Sequence, residues 1–416
     1  MKNTPQQTVM VCIATAQSAA NILPVMIRKP DQVVIVQSAK MIRQARALKH
    51  WLVNFGGYSS EQIETYEDLP DSGINSLSEY ALNLRGDLEN SLPDHRLILN
   101  ATGGNKLMTL AFVDVFRDDN IEIIYTDTEN DTLEVIEPKN RQPELVSSIF
   151  TIASYLASQG YIARKADSED EDWCSNALHR KPLTKWLADN IDRVVKSDGS
   201  GFLPQINGLI HRDVLDANGG LKSSRDYQEL SYVSRRDHEL LKRLSEEGIL
   251  SWTAGDEKKI QFTSAESARY MGGRWLEEYV WHIARDAGAE CLAAGQDITA
   301  EQQRKDDVRN ELDLVIVHNN RLLLVECKTG QIQKEQRDSE VIYKLDSLAN
   351  HAGGLFCERL LVSAAPLDHE RKNGQKVKVS SRARSYDIDV LQYQGLKKLR
   401  EVLLGWMETG VLKTED

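Results

Sequence analysis

The chain has 416 residues, of which 41% are hydrophobic and 27% charged, with a net charge of −12 and five cysteines; its pI is near 5.4. That length calls for two or three domains, and the acidity argues against a dedicated duplex-binding protein, which is ordinarily basic, so nucleic acid would be met at a local basic patch or through metal ions. No apolar run approaches the ~20 residues that cross a bilayer, the N-terminus lacks a secretory apolar core, and an odd number of cysteines without a C-x-x-C pair fits a reducing compartment, so a cytoplasmic protein without a membrane partner is expected.

Strand and helix signals alternate from the N-terminus to about position 145. TVMVCIATA (8–16) predicts a buried strand, SAANILPVMIRK (18–29) a helix perturbed by Pro24, DQVVIVQS (31–38) a strand and AKMIRQARALKHWLV (39–53) a helix. QIETYE (62–67) is a weaker strand signal, NSLSEYALNLRGDLEN (75–90) a helix, and HRLILNATGG (95–104) a strand running into a loop. NKLMTLAFVDVFR (105–117) reads as a helix and NIEIIYTDTEN (120–130) as a strand. Such alternation predicts a parallel, doubly wound α/β sheet.

Two loops follow strand C-termini, where doubly wound sheets bind ligands. In TAQSAANILP (15–24), Gln17, Ser18 and Asn21 can hydrogen-bond bases or sugars. In NATGGNKLMTLA (100–111), glycines let the backbone approach a phosphate, the helix N-terminus offers free N–H groups and Lys106 adds a positive charge. Neither G-x-x-x-x-G-K-[ST] nor G-x-G-x-x-G occurs there, so ATP hydrolysis and dinucleotide redox chemistry are poorly supported. An ordinary β–α turn is the alternative for each loop.

Between about 150 and 268 the pattern changes. DSEDEDW (167–173) reads as a solvated linker or loop. HELLKRLSEEGILSW (238–252), a turn at TAGDEKKI and IQFTS (260–264) give helix, strand, turn, strand, the outline of a winged helix; a helical spacer ending in a hairpin is the alternative. From about 270, GGRWLEEYVWHIARDAG (272–288) predicts a helix and AECLAAGQ a strand. NELDLVIVHNN (310–320) and RLLLVECK (321–328) predict a hairpin turning at His318-Asn319-Asn320. EQRDSEVIYKLDSLANHAGG (335–354) reads as a helix ending at glycine, and ERLLVSAA (358–365) and YDIDVLQ (386–392) as strands.

Residues i and i+2 of a strand share a face, so Glu326 and Lys328 lie side by side with Cys327 opposite. Asp313, just inside its strand, and Glu326, near the far end of the partner, fall at one end of the hairpin. Two carboxylates there, with a third from the preceding helix, can bind Mg²⁺ or Mn²⁺ through oxygen. The metal would lower the pKa of a water and offset phosphate charge, and Lys328 would orient the water or stabilise charge on phosphate oxygens. On the helix, Glu277 lies nearer than Glu278 to the face marked by Leu276, Tyr279, Val280 and Ile283, and is the preferred carboxylate. Glu311 shares the strand face of Asp313, as an extra metal group or an ion-pair partner. Lys344 is either within reach of the scissile phosphate or a solvated helix lysine.

In combination, ATGGNKLM, GGRWLEEYV, NELD and ECKTG resemble the CARF-domain PD-(D/E)xK nucleases that accompany type III CRISPR systems, over essentially the whole chain. The resemblance implies a Rossmann-like CARF sensor at 1–145, a linker and winged-helix-like region at 146–268, and a restriction-endonuclease-like α/β domain at 269–416. It implies a homodimer with a cyclic oligoadenylate across the two-fold axis, cyclic tetra-adenylate in the closest such nucleases. By analogy, Gln17, Ser18 and Asn21 of the first loop and Thr102, Gly103, Gly104, Asn105 and Lys106 of the second would hold the ligand. Binding would activate cleavage of DNA, RNA or both with little sequence preference, Asp313, Glu326 and Lys328 forming the core, with Glu277 and Lys344 beside it. Three readings compete: a cyclic-oligoadenylate-gated transcription regulator acting through the winged helix, a sensor that cleaves its own ligand, and a repair or restriction nuclease independent of such a ligand.

Overall fold

The computed structural model describes residues 6–128, 130–216, 220–222, 227–253, 255–256, 258–301, 310–330, 335–354, 357–370 and 376–414. They fall into two compact units, Met1–Ile162 with Ala300–Gln302, and Ala163–Thr299 with Gln303–Asp416.

The first unit is built on β1 (Thr8–Ile13), β2 (Gln32–Val36), β3 (Ile63–Tyr66), β4 (Arg96–Asn100), β5 (Glu122–Asp127), β6 (Thr132–Glu137) and β7 (Glu144–Leu145). They form one sheet in the order β3-β2-β1-β4-β5-β6-β7. The first five strands are parallel. The sequence signals stopped at β5; beyond it β6 and β7 extend the sheet antiparallel. Helices α1 (Ala19–Arg28), α2 (Ile42–Asn54), α3 (Ile74–Ser91) and α4 (Lys106–Phe116) supply the crossovers, followed by α5 (Ile152–Ser158). Val9, Val11 and Ile13 of β1 pack with Leu77, Ala81, Phe112 and Phe116 of α3 and α4. Met10 and Cys12 alternate to the other face and are equally buried, as a strand covered on both sides requires. The chain steps outward from β1 through β3 and restarts at β4 on the other side of β1. The C-terminal ends of β1 and β4 therefore flank the switch point where open α/β sheets take ligands.

The second unit carries β8 (Tyr161–Ala166), β12 (Cys291–Ala300), β13 (Asn310–His318), β14 (Arg321–Lys328), β15 (Cys357–Ser363) and β18 (Asp389–Leu391). Their order is β18-β15-β14-β13-β12-β8. β14 is central, antiparallel to β13 and parallel to β15. The β13–β14 turn falls where the sequence placed it: Asn319 and Asn320 have φ of 48° and 60°, the left-handed pair of a two-residue hairpin turn. Leu323, Val325 and Cys327 of β14 pack on Trp275, Leu276 and Tyr279 of α11 (Trp275–Ala287) and on Leu403 and Trp406 of α14 (Leu399–Thr409). α12 (Glu335–Leu348) follows β14, and α13 (Val379–Arg384) precedes β18.

The central region shares that core. α9 (Asp237–Glu246), β10 (Leu250–Trp252) and β11 (Lys259–Phe262) give helix, strand, turn, strand, and β9 (Gln228–Glu229) adds a third strand in the order β10-β11-β9. Leu240, Leu241, Leu244, Ile260 and Phe262 join one apolar cluster with α11 and β14. The acidic run at 167–173 differs from its expected loop. Asp167–Glu169 is a turn of 3₁₀ helix, and Asp170 caps α6 (Glu171–Asp189) by accepting from the N–H groups of Asp172 and Trp173. Negative charge at a helix N-terminus is favourable, so the run starts a helix. α7 (Ile191–Val194), α8 (Phe202–Leu209) and α10 (Ala265–Arg269) complete the region. Among the described residues no helix is long and apolar enough to cross a membrane.

Candidate functional site

The hairpin register explains the cluster at its end. Leu314 pairs with Val325, so Asp313 and Glu326 are the next pair and share a face. Asp313 Oδ2 accepts the N–H of Cys327 at 2.7 Å, which fixes the carboxylate against the partner strand. Lys328 Nζ lies 2.6 Å from Glu326 Oε1 and 3.8 Å from Asp313 Oδ2. Lys344 approaches from α12, with Nζ 3.8 Å from Glu326 Oε2 and 3.1 Å from the Glu311 carbonyl oxygen. Asp313, Glu326, Lys328 and Lys344 thus meet in one place. Cys327, on the opposite face, is buried in the core.

Burial raises the Asp313 carboxyl to about 6, with the Glu326 charge adding to it. Burial raises the carboxyl of half-buried Glu277 to about 8, and the charges of Asp313 and Glu311 push the same way. Burial works against the Lys328 ammonium, yet Glu326 and Asp313 outweigh it and hold its pKa above the ordinary value. The cluster is therefore an excess of acid, with Asp313, Glu326 and Glu277 gathered around the ammoniums of Lys328 and Lys344. Adjacent α11 residues have different fates. Glu277 feels Asp313, whereas Glu278 is 1% exposed and turned to Arg180 of α6. Arg180, which no sequence pattern flagged, also reaches Glu266 at 2.6 Å and stacks over the Tyr270 ring at 4.6 Å.

The donor set fits a hard divalent cation in kind, since it offers carboxylate oxygens that repel one another without positive charge. Among the described residues no three His, Cys, Asp or Glu side chains converge tightly enough to hold a metal ion. Asp313, Glu326 and Glu277 are the residues that would hold it.

At the switch point of the first unit the two expected loops meet. Asn21, 1% exposed, donates from Nδ2 to the Ile13 carbonyl at 2.9 Å. Its Oδ1 accepts from Asn100 Nδ2 at 2.8 Å, and Asn100 also donates to the Ala20 carbonyl at 2.9 Å. Asn100 Oδ1 accepts the Thr102 N–H at 3.1 Å. Asn100 was overlooked in the sequence; a polar residue closing an apolar strand was the available signal. Gly103 packs so closely that a Cβ would stand 2.1 Å from the Ile13 carbonyl oxygen. Gly104 has φ +79°, where side chains are strained, and a Cβ there would meet Ile13 Cγ2 at 2.9 Å. Thr102 Oγ1 accepts the Thr126 N–H at 2.8 Å. Asn105 caps α4, accepting from Leu107 and Met108 N–H groups at 3.0 Å. Ser18 is buried at the start of α1, and its carbonyl accepts from Asn21 and Ile22. Gln17 is half-buried in the same loop, and Lys106 is exposed at the first turn of α4. Asn21, Asn105 and the glycines thus hold the loops' shape, while Lys106 presents an exposed charge.

A parallel sheet with its loops joined at the switch point, and a hairpin-borne Asp, Glu and Lys cluster on a mixed sheet, define a ligand-sensor domain attached to an endonuclease domain. Residues 9–155 match the family described as the Card1 CARF domain, and residues 264–409 match the Card1-like endonuclease domain. The chain belongs to the Card1-type CARF-domain nucleases of type III CRISPR systems. Two solved structures share the fold along nearly the full length. Can2 from Sulfobacillus thermosulfidooxidans, in complex with cyclic tetra-adenylate, is 21% identical with a TM-score of 0.72, covering 97% of this chain and 98% of its own. Protein VC1899 from Vibrio cholerae is 22% identical with a TM-score of 0.77, covering 98% and 99%. No curated protein matches the sequence.

Proposed function

We propose that the protein is a homodimeric, metal-dependent nuclease switched on by cyclic tetra-adenylate, cutting DNA, RNA or both with little sequence preference. The observation that carries the reading is the convergence of Asp313, Glu326 and Lys328 at one end of the β13–β14 hairpin, in a chain whose other unit ties two loops together at the switch point of its sheet. The similar fold of Can2, which was solved with cyclic tetra-adenylate, supports the choice of ligand.

In this reading Asp313, Glu326 and Glu277 hold Mg²⁺ or Mn²⁺, whose chemistry there is neutralisation of phosphate charge and activation of water. Lys328, within 3.8 Å of both strand carboxylates, would offer its ammonium to a phosphate oxygen, where fixed positive charge stabilises the transition state. Lys344 adds a second cation from α12. Lys106, with the backbone N–H groups opening α4, meets a phosphate of the cyclic ligand. A ring with two-fold symmetry fits a two-fold dimer.

The test separates the two sites. Glu326→Ala abolishes cutting and leaves ligand affinity unchanged. Lys106→Ala weakens ligand binding and leaves the unfolding of the second unit unchanged. Full cutting by the Glu326 variant would overturn the site.

A further inference from the structure

The protein is acidic overall, at −12, yet a nuclease must hold a polyanion. One stretch reverses the balance: between positions 376 and 400 the sequence carries seven lysines and arginines against two aspartates. In the structure this stretch borders a cleft of about 470 Å³ at the open edge of the second sheet. Its floor is apolar and buried, made by Val390 and Leu391 of β18 and Val402 of α14. Its rim bears three exposed cations from three separate segments, Arg384 ending α13, Lys398 before α14, and Lys413 near the C-terminus. Two glutamines, Gln392 and Gln394, add amide groups, and Glu401 is the one acid among the lining residues.

The sheet register fixes how far this cleft lies from the Asp313–Glu326–Lys328 cluster. Glu326 pairs with Leu361, and Leu361 pairs with Val390. Val390 is thus two strands from Glu326 in the same register, whereas Leu391 and Val402, which complete the floor, belong to the opposite face, the one that carries Cys327 and packs on α14. At ~4.8 Å per strand, the separation is about 10 Å. Leu361, between them, is 1% exposed, so nucleic acid passes from one place to the other around the edge of the sheet at β18 and not over its face.

Positive rim, amide groups and apolar floor form a combination suited to phosphates on one side and sugar or base on the other. We propose that this cleft, rimmed by Arg384, Lys398 and Lys413, is an anchoring site for the phosphate backbone of the nucleic-acid substrate, at the edge of the sheet that carries the cutting centre. The proposal rests on the nuclease reading and deepens it.

The test neutralises the rim in the full-length protein: Arg384→Gln, Lys398→Gln and Lys413→Gln together. Labelled single-stranded DNA and RNA are titrated in EDTA across a salt series, and cutting is measured separately with Mn²⁺ and cyclic tetra-adenylate. Each phosphate contact on a single strand contributes ~0.7 to the slope of log K against log salt, so losing three lowers its magnitude by about 2. The expected result is that lower slope, affinity reduced by about tenfold or more at low salt, KM raised with kcat retained, and unchanged ligand binding and thermal melting. An unchanged Kd and slope overturns the proposal, as does a fall in kcat and melting temperature with the slope intact. The binding arm reads independently of cutting. Failure of the nuclease reading, seen as no cutting by the wild-type protein, therefore stays distinct from failure of the cleft.

Discussion

Replacing Arg180 with methionine removes the cation that pairs with Glu278, a carboxylate that is 1% exposed. Arg180 is itself 4% exposed and grips Glu278 through two of its nitrogens. Its other partner, Glu266, is 40% exposed by side chain and stays solvated without it. Two unit charges about 4 Å apart at an effective dielectric near 20 attract by about 4 kcal/mol. Loss of one member of a buried pair is measured at about 3–5 kcal/mol, because the other charge stays buried and uncompensated. Both figures are large beside the ~5–15 kcal/mol stability of a typical domain. Arg180→Met is therefore expected to destabilise the second unit by about 3–5 kcal/mol, whereas Arg180→Met with Glu278→Leu returns near the wild-type value. Six of the seven tryptophans, all but Trp51, lie in that unit, so denaturant unfolding followed by intrinsic fluorescence reads it directly. An unchanged midpoint in the single variant, or a double variant no better than the single, would refute the assignment of Glu278 as a buried structural ion-pair partner.

Two further outcomes follow from the packing. Gly103→Ala places a methyl group 2.1 Å from the Ile13 carbonyl oxygen; it is expected to destabilise the first unit by about 1–3 kcal/mol and to weaken ligand binding, read by thermal melting and calorimetry with cutting-centre variants as controls. His282 is 3% exposed and bonds Ala177, and burial holds its pKa below the ordinary value, with Lys181 and Arg285 acting in the same sense and Asp286 against. Its folded pKa lies below the unfolded value near 6.5. Stability is therefore full above about pH 6.5 and is lost below it, approaching one proton's slope, ~1.4 kcal/mol per pH unit, until the folded pKa is passed. His282→Gln is expected to flatten that part of the unfolding profile, and an unaltered profile would count against it.

Much of the fold was legible because its strands are extreme in composition. The Val and Ile runs of β1 and β2, and Leu-Leu-Leu-Val in β14, are what a central strand buried on both faces demands. The Asn319–Asn320 turn was legible because two left-handed residues in a row favour asparagine. α6 was hidden for the opposite reason. Its inner face includes Arg180 and Thr184, matched to Glu278 and the Tyr270 hydroxyl, and Pro182 lies within it, so it lacks a clean apolar stripe. β7, two residues long, leaves no period to read, whereas β6 alternates polar and apolar residues over TLEVIE, a signal that was passed over.

The candidate site divides in the same way. Glu326 beside Lys328 follows from the two-residue period of a strand, and Asp313 from the hairpin. The choice between Glu277 and Glu278 does not, since both lie within reach of the buried face; it depends on Arg180, far away in sequence. In the sensor loops the residue types were legible but not their hydrogen bonds. Asn21 and Asn105 carry loop and cap contacts within the fold, which only the folded arrangement of β1, β4 and α4 reveals.

The central claim is that ligand at one unit releases cutting at the other. The direct measurement incubates the full-length protein and Mn²⁺ with single-stranded DNA, single-stranded RNA and supercoiled plasmid, each with and without cyclic tetra-adenylate. The account predicts cutting only when both metal and ligand are present, and none from Glu326→Ala. Equal cutting without the ligand would contradict the switch, and no cutting in any lane by protein shown to bind the ligand would contradict the nuclease.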